Sequence, residues 1–254
     1  MRLVVPMLDE AEALPALLAE LAALDLLGLT LFVDNGSGDG SPGLVRAAGG
    51  EVLHEPRRGY GYPCLTGARA AAARGATVVV FMEADGTDDP AEAERLARPV
   101  LGGAADLVIG SRRDAVHGAA AGRMPLHQRL GNEWLAASLA VLFGLRLSDD
   151  GPFRAIRTDL LERLRLEERA YAFPTEMAVK AHLAGARIMT RETSYRQRAG
   201  RSKIAGTWRG SLCAVRDIGW CVARLRLRGF ALESPTPGAR RQRPRTPPHG
   251  APRQ

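Results

Sequence analysis

The stretch FMEADGTDDP, residues 81–90, ends an apolar run (Val78 to Met82) in four acids: Glu83, Asp85, Asp88 and Asp89. Like charges so close together repel. Such a cluster persists where a cation, a partner or a helix terminus makes use of it. Residues two apart on an extended segment point to the same side, so Glu83 and Asp85 can offer hard oxygens to one Mg²⁺ or Mn²⁺. A cation held there would offset phosphate charge on a substrate. Asp88 and Asp89 stand before Pro90, the pattern of an acidic cap followed by a first-turn proline, and a helix start is expected.

The elements that would carry this turn alternate. Leu3–Val5, Leu29–Val33, Glu51–His54, Thr77–Met82 and Asp106–Ile109 read as short apolar strands. Between them, Leu14, Leu17, Leu18, Leu21 and Leu24 recur at helical spacing, Tyr62–Arg74 is an Ala-rich helix, and Asp89–Pro90 opens another. Strand and helix in alternation predict an α/β fold: a mostly parallel sheet with helices on both faces. Ligands of such sheets bind beyond the carboxyl ends of the strands. VPMLDE, VDNGS, FMEADG and IGSRR all follow strands and are expected to meet on one rim. Further on, Gln128–Gly144, Thr175–Ala184 and Trp208–Leu227 read as helices, and Gly151–Arg157 and Arg187–Tyr195 as strands. In the last helix Trp208, Leu212, Val215, Gly219 and Val222 form one stripe, with Arg209, Arg216 and Arg224 opposite.

Composition bounds the rest. The 254 residues suit one large domain or two small ones. The net charge of +7 includes five arginines after Ser234, in a stretch without acids; without them the body carries +2. A basic protein of this kind is not thereby a nucleic-acid binder, and no nucleic-acid partner is expected. From Ser234 the chain is Pro-rich and lacks large apolar residues, and segment 231–254 is expected to be disordered; contact with anionic lipid is its sharper reading. Cys64, Cys213 and Cys221 form no CxxC and no disulfide framework, which fits a reducing cytosol. MRLVVPMLDE lacks the features of a signal peptide, and the longest apolar stretch, Trp134–Leu145, is too short to span a bilayer. A cytoplasmic protein, soluble or peripheral at the inner membrane face, is expected.

Two motif readings fit less of the chain, and the first of them stays as a remote alternative. EADGT approaches the DxDGT of haloacid-dehalogenase-type phosphatases, but the nucleophilic Asp of that chemistry is Glu83 here, and some eighty residues precede it. GYGYPC is G-x-G-x-x-C, follows the third strand, and lacks the third glycine of a dinucleotide fingerprint.

A third reading takes in most of the chain. VPMLDEAEALP, VDNGSGDGS, GYGYPCLTGARAA, FMEADGTDDP, GSRR, GPFRAIR, TEMAVKA and YRQRAGRSKIAGTWRGS follow in this order. Together they resemble glycosyltransferase family 2, of GT-A fold, with the polyprenyl-phosphate (dolichol- or undecaprenyl-phosphate) hexosyltransferases as the nearest flavour. The resemblance implies a GT-A domain over residues 1–206, an amphipathic helix over 207–230 and the tail beyond. It implies an inverting hexosyl transfer from a nucleotide-diphosphate sugar, with Mg²⁺ or Mn²⁺, to a polyprenyl phosphate of the cell envelope. The same fold with a soluble or glycan acceptor, or a catalytically weak sugar-nucleotide-binding protein, stays open.

It also implies residue roles. Pro6, Leu8 and Glu10 would hold the nucleotide, while Asp9 and Glu12 read more simply as a D-x-x-E capping pair. Asp34 and Asn35 can pair with the edge of a uracil or guanine. Glu83, Ala84 and Asp85 occupy the family's DxD, with Asp85 as metal ligand and Glu83 replacing its first Asp. Arg112 would join the donor site. Arg154, Arg198 and Lys203 would clamp phosphate and acceptor, a task suited to basic forks on a Gly-containing loop. An alcohol acceptor needs a base, and Asp150 and Glu176 are the candidates; a lipid phosphate is already anionic and needs little or none. Phe173 stands where relatives carry Trp.

Overall fold

A computed structural model describes residues 1–112, 126–194, 196 and 208–228. Its strands are β1 (Arg2–Met7), β2 (Thr30–Asp34), β3 (Glu51–His54), β4 (Val78–Phe81), β5 (Leu107–Ser111), β6 (Arg154–Arg157) and β7 (Ile188–Glu192). The helices are α1 (Leu14–Ala23), α2 (Ser41–Ala47), α3 (Gly61–Ala73), α4 (Ala93–Leu101), α5 (Leu126–Phe143), α6 (Thr158–Arg163), α7 (Phe173–Leu183) and α8 (Trp208–Arg228). The strands form one sheet in the order β3-β2-β1-β4-β6-β5-β7. All neighbours run parallel except β6, which is antiparallel to both β4 and β5.

Strand alternation divides the core in two. Leu3, Val5, Phe32, Val78, Val80 and Val108 meet Leu14, Leu17, Leu18 and Leu21 of α1, Val45 of α2 and Leu96 and Val100 of α4. Val4, Leu31, Val33, Val79, Phe81, Leu107 and Ile156 face the other way. There they meet Cys64 and Ala68 of α3, Leu135 and Leu139 of α5, Met177 of α7 and Cys221, Val222 and Leu225 of α8. Each fully buried Val, Leu or Phe contributes about 1.5–3 kcal/mol of hydrophobic stabilisation. Both faces of the central strands are thus covered, as their unbroken apolar runs require.

The reversal of β6 decides what reaches the rim. Phe81 at the end of β4 pairs with Arg154 at the start of β6. The turn that enters β6 therefore lies beside the ends of β1, β2, β4 and β5. In α8 the observed inner stripe is Cys221, Val222 and Leu225, and Arg224 faces inward with them, in contact with Glu167, Glu168 and Glu176. The expected separation of apolar residues from arginines is corrected at that position: three carboxylates on the body draw the guanidinium inward. Arg198, Lys203 and the 231–254 tail lie outside the described residues.

Candidate active site

The turn after β1 is laced to the turn after β2. Asp9 adopts a left-handed backbone (φ 48°), and its N–H donates to Ser37 Oγ at 2.9 Å. Gly38 N–H donates to Asp9 Oδ1 at 2.6 Å, Glu10 N–H to Ser41 Oγ at 2.9 Å, and Ala11 N–H to Asp39 Oδ2 at 2.8 Å. These bonds correct the expected Asp9/Glu12 cap: α1 starts at Leu14 without a side-chain cap, and Asp9 is spent on the neighbouring loop. They also explain DNGSGDGS, whose serines and Asp39 hold the 9–11 turn. Pro6 is buried beneath it, and Leu8 and Glu10 are half-buried at the rim.

Asp34 ends β2 and is buried. Ser37 N–H donates to its Oδ1 at 2.9 Å, and His54 Nδ1 lies 3.3 Å from its Oδ2. Burial works to raise its pKa, but the bonds from Ser37 and His54 outweigh that and hold the carboxyl below its ordinary value. It stands at the rim as a charged acceptor. Asn35 is different. Its amide donates to Glu55 O at 2.9 Å and Arg57 O at 2.7 Å, and its Oδ1 accepts from Gly59 N–H at 3.2 Å. The expected base-reading role of Asn35 gives way to a holding role, because both amide hydrogens are committed to the loop after β3.

The acidic turn leaves β4 at Phe81. Asp85 is buried, and its Oδ1 accepts from Thr87 N–H at 3.0 Å and from Thr87 Oγ1 at 2.6 Å. Glu83 N–H donates to Asp88 Oδ2 at 2.9 Å, and the phenol of Tyr60 donates to Glu83 Oε1 at 2.7 Å. Asp89 caps the short helical turn Pro90–Glu92 through Ala91 N–H at 3.0 Å, as expected. Asp88 does not share that cap: it is buried and closes the turn on itself. Burial first, then the charges of Asp85 and Asp88, push Glu83 up to about 8, against Tyr60 and Arg112. Burial likewise pushes Asp88 up to about 6, with Arg112 the largest opposing influence. Arg112, at the end of β5, is held by Asp149: its N–H donates to Oδ2 at 3.0 Å and its Nε lies 3.7 Å from the same oxygen.

Among the described residues, no three His, Cys, Asp or Glu side chains converge to cage a metal ion. The donor set nevertheless fits a hard divalent cation. Mg²⁺ commonly takes one or two carboxylates and completes its shell with substrate phosphate and water. Burial first, and the neighbouring carboxylates after it, raise Glu83 and Asp88, and a cation at this turn would favour their charged forms.

Three expected site residues turn out to be structural. Arg154 is 1% exposed. Its guanidinium donates to Gly151 O through Nε at 3.0 Å and through Nη2, to Pro174 O at 2.8 Å and to Asp150 Oδ1 at 3.0 Å. It holds the turn into β6 and presents no fork to a phosphate. Asp150, the other end of that pair, also accepts from Thr175 Oγ1 at 2.7 Å. Burial raises its pKa, with Arg154 opposing. It is an anchored acceptor rather than a poised base. Glu176 is fully buried. Its Oε2 accepts from Glu167 and Glu168 N–H at 2.8 and 2.7 Å, and its Oε1 meets Lys180 Nζ at 2.9 Å and Arg224 Nη2 at 3.4 Å. The base role is corrected because every contact ties Glu176 to α7, α8 and the loop between α6 and α7. Phe173 likewise packs in the core, edge-on to Phe81 and Tyr60.

Sequence reasoning missed Tyr60, Thr87 and Asp149, and it grouped Arg196 with the phosphate-clamping basic loop without its ties to the body. Arg196 N–H donates to Thr87 O at 3.0 Å, and its guanidinium joins Glu20 at 2.7 Å to Asp89 at 2.8 Å. The basic segment therefore departs from directly beside the acidic turn. The glycines around Tyr60 were the one available signal for it. A Cβ at Gly59 or Gly61 would collide with the carbonyl oxygens of Arg169 and Glu168.

Comparison with known proteins agrees with this layout. An uncharacterized glycosyltransferase of Mycobacterium tuberculosis is 35% identical over 217 residues, 85% of this chain and 94% of its own. An undecaprenyl-phosphate mannosyltransferase of Micrococcus luteus is 33% identical over 216 residues, covering 80% and 86%. Glucosyl-3-phosphoglycerate synthase from Mycobacterium tuberculosis, solved with Mn²⁺, UDP and phosphoglyceric acid, superposes with a TM-score of 0.67 at 21% identity, covering 89% of this chain and 77% of that one. That likeness places the sheet and helices in the GT-A fold and rules out the phosphatase architecture. Residues 3–165 match the family described as "Glycosyl transferase family 2", and the chain belongs to that family.

Proposed function

We propose that this glycosyltransferase moves a hexosyl group from a nucleoside-diphosphate sugar to a polyprenyl phosphate, with inversion at the anomeric carbon. The acidic turn carries the reading. Glu83, Asp85 and Asp88 crowd one turn at the strand ends, beside Arg112 and across the rim from Asp34. Asp34, charged and buried, suits the ring N–H of a uracil or guanine. Pro6, Leu8 and Glu10 line the approach to it, and Ala84 lies between the two acids. Glu83 and Asp85 would hold Mg²⁺ or Mn²⁺, which when bound offsets the charge of the diphosphate. Arg112 adds a fixed positive charge where the leaving group gains a negative one.

An acceptor phosphate oxygen forms the new bond to the anomeric carbon as the bond to the donor's β-phosphate oxygen breaks, and the nucleoside diphosphate departs. The acceptor is anionic before it reacts, so the step needs no proton removed. This accords with the rim: Asp150 and Glu176 are both committed to internal bonds. Arg198 and Lys203 are proposed as the acceptor-phosphate clamps, since Arg196 ties the start of their segment to Thr87, Glu20 and Asp89.

The lipid acceptor draws support from two relatives. One is the undecaprenyl-phosphate mannosyltransferase; the other is a polyprenol monophosphomannose synthase of Mycolicibacterium smegmatis, 28% identical over 238 residues. No described helix is long and apolar enough to cross a membrane. The neighbouring helices α5 and α8 instead expose Trp134 (55%) with Val141, and Trp220 (70%) with Leu227, each pair seven residues apart. Tryptophan at such positions suits a membrane–water interface. We place the protein at the cytoplasmic membrane face in working form, with residues 1–206 as the transferase unit, 207–230 as the attached helix and 231–254 as a basic tail.

The test is transfer from UDP- and GDP-hexoses to undecaprenyl phosphate in detergent, with Mn²⁺ and with EDTA. Product that needs the metal and disappears in Asp85→Ala is expected. Full turnover by Asp85→Ala would sink the assignment, and transfer only to soluble acceptors would sink its lipid half.

A further inference from the structure

Tyr60 lies on none of the strands whose ends build the rim, yet it reaches the acidic turn. It caps α3 with helical backbone angles, and glycine stands on either side of it. Both glycines press against the 168–169 backbone, and Gly61 N–H donates to Arg169 O at 3.0 Å. The Tyr60 ring meets Phe173 edge-on at 6.2 Å, and Phe173 meets Phe81 edge-on at 5.9 Å. The phenol is therefore fixed from the α3 and α7 side, independently of the acids it faces. It donates a 2.7 Å bond to Glu83 Oε1, with the buried Cys64 thiol as its other polar neighbour. Among the described residues this is the only hydrogen bond the Glu83 carboxylate accepts.

The side chain at position 83 is one methylene longer than aspartate. Shortening it would withdraw the carboxylate by about 1.5 Å, and a 2.7 Å bond stretched by that much ceases to be one. We propose that Tyr60 is a positioning residue matched to the glutamate. By occupying Oε1 it removes the extra rotamer freedom of the longer side chain and leaves Oε2 as the single oxygen offered to the cation and diphosphate. The inference rests on the donor-site reading. It adds that Tyr60 and Glu83 work as a pair, so that the phenol has no positioning task once position 83 is aspartate.

A double-mutant cycle of Tyr60→Phe, Glu83→Asp and the two combined tests this, with two readouts. Calorimetric binding of UDP and of GDP in the presence of MnCl₂ reports the positioning. Thermal melts in EDTA report that each variant folds and whether the pair is coupled without metal. Tyr60→Phe is expected to weaken metal-dependent nucleotide binding about tenfold in the parent and less than about twofold in the Glu83→Asp background, as loss of a bond to a carboxylate implies. Equal losses in both backgrounds would reduce Tyr60 to packing and overturn the proposal, as would unchanged binding in Tyr60→Phe. Coupling in the melts while the parent binds neither nucleotide would place the failure in the donor-site reading and overturn the positioning role with it.

Discussion

Replacing Glu83 by Gln removes a charge and keeps the shape, and the Tyr60 phenol can still donate to the amide oxygen. The carboxyl is pushed from its usual 4.5 to about 8. At about 1.4 kcal/mol per pH unit that gap bounds its cost to the folded state at about 5 kcal/mol. The side chain is part-exposed, and solvent screening reduces this to about 2 kcal/mol. The sign follows from proton binding. Between 4.5 and about 8 the folded protein keeps a proton that the unfolded chain has lost. Stability from this group is therefore complete below pH 4.5 and falls as pH rises through that window. For a domain of this size the metal-free Gln variant should melt about 4–8 °C above the parent at pH 9 and within about 2 °C of it at pH 5. Differential scanning fluorimetry in EDTA, from pH 5 to 9, measures both curves. If they run parallel, the carboxyl is not held protonated and the crowding argument for a cation fails.

Other perturbations read other parts of the molecule. Arg224→Ala leaves Glu176 buried with one cation fewer and should cost about 3 kcal/mol in urea melts, while turnover per folded molecule stays within about twofold; a collapse of turnover at full folding would restore Glu176 to the reaction. Gly61→Ala must displace the 168–169 backbone and should cost about 1–3 kcal/mol, checked by the same melts; an unaffected midpoint would show that the loop moves freely. Glu55 is held at about 2 first by Arg57, and Asp106 at about 2 first by Arg187. Both carboxylates stabilise the fold above their unfolded values, and that contribution is lost as pH falls toward 2. Glu55→Gln should flatten part of the acid limb of a pH-melting curve, and an unchanged limb would contradict the pairing.

The alternation of strand and helix, and the meeting of four polar motifs on one rim, were legible because both follow from local periodicity and the rule for open α/β sheets. The direction of β6 was not. Arg154–Arg157 reads the same whichever way it runs, since a strand buried on both faces carries no polar face to orient it. That ambiguity led to the misreading of Arg154: an arginine in a Gly-Pro-Phe turn looks available for phosphate until its neighbours' carbonyls are seen closing over it. Glu176 failed similarly, for its partners Glu167, Glu168 and Arg224 are brought to it only by tertiary packing. Asn35 was expected to read a base because a sequence displays its donors and acceptors but not their commitments. The position of Asp85 and Asp34 at the rim was legible because a carboxylate at or just past the end of a buried strand has few places to go.

The reversed strand also bears on how the chain can be made. β6 lies between β4 and β5, so the flank of β4 has no partner until residue 157 has left the ribosome. By then every acid of the rim has been synthesised, yet β5 still lacks its other neighbour, β7. Sheet closure must join segments about 75 residues apart, which makes assembly slow and leaves an apolar edge open to other chains meanwhile. A fragment ending near residue 112 would carry Asp34 and the acidic turn without Asp149 and Asp150, together with the instability of an unfinished sheet, and aggregation rather than a minimal transferase is its expected fate.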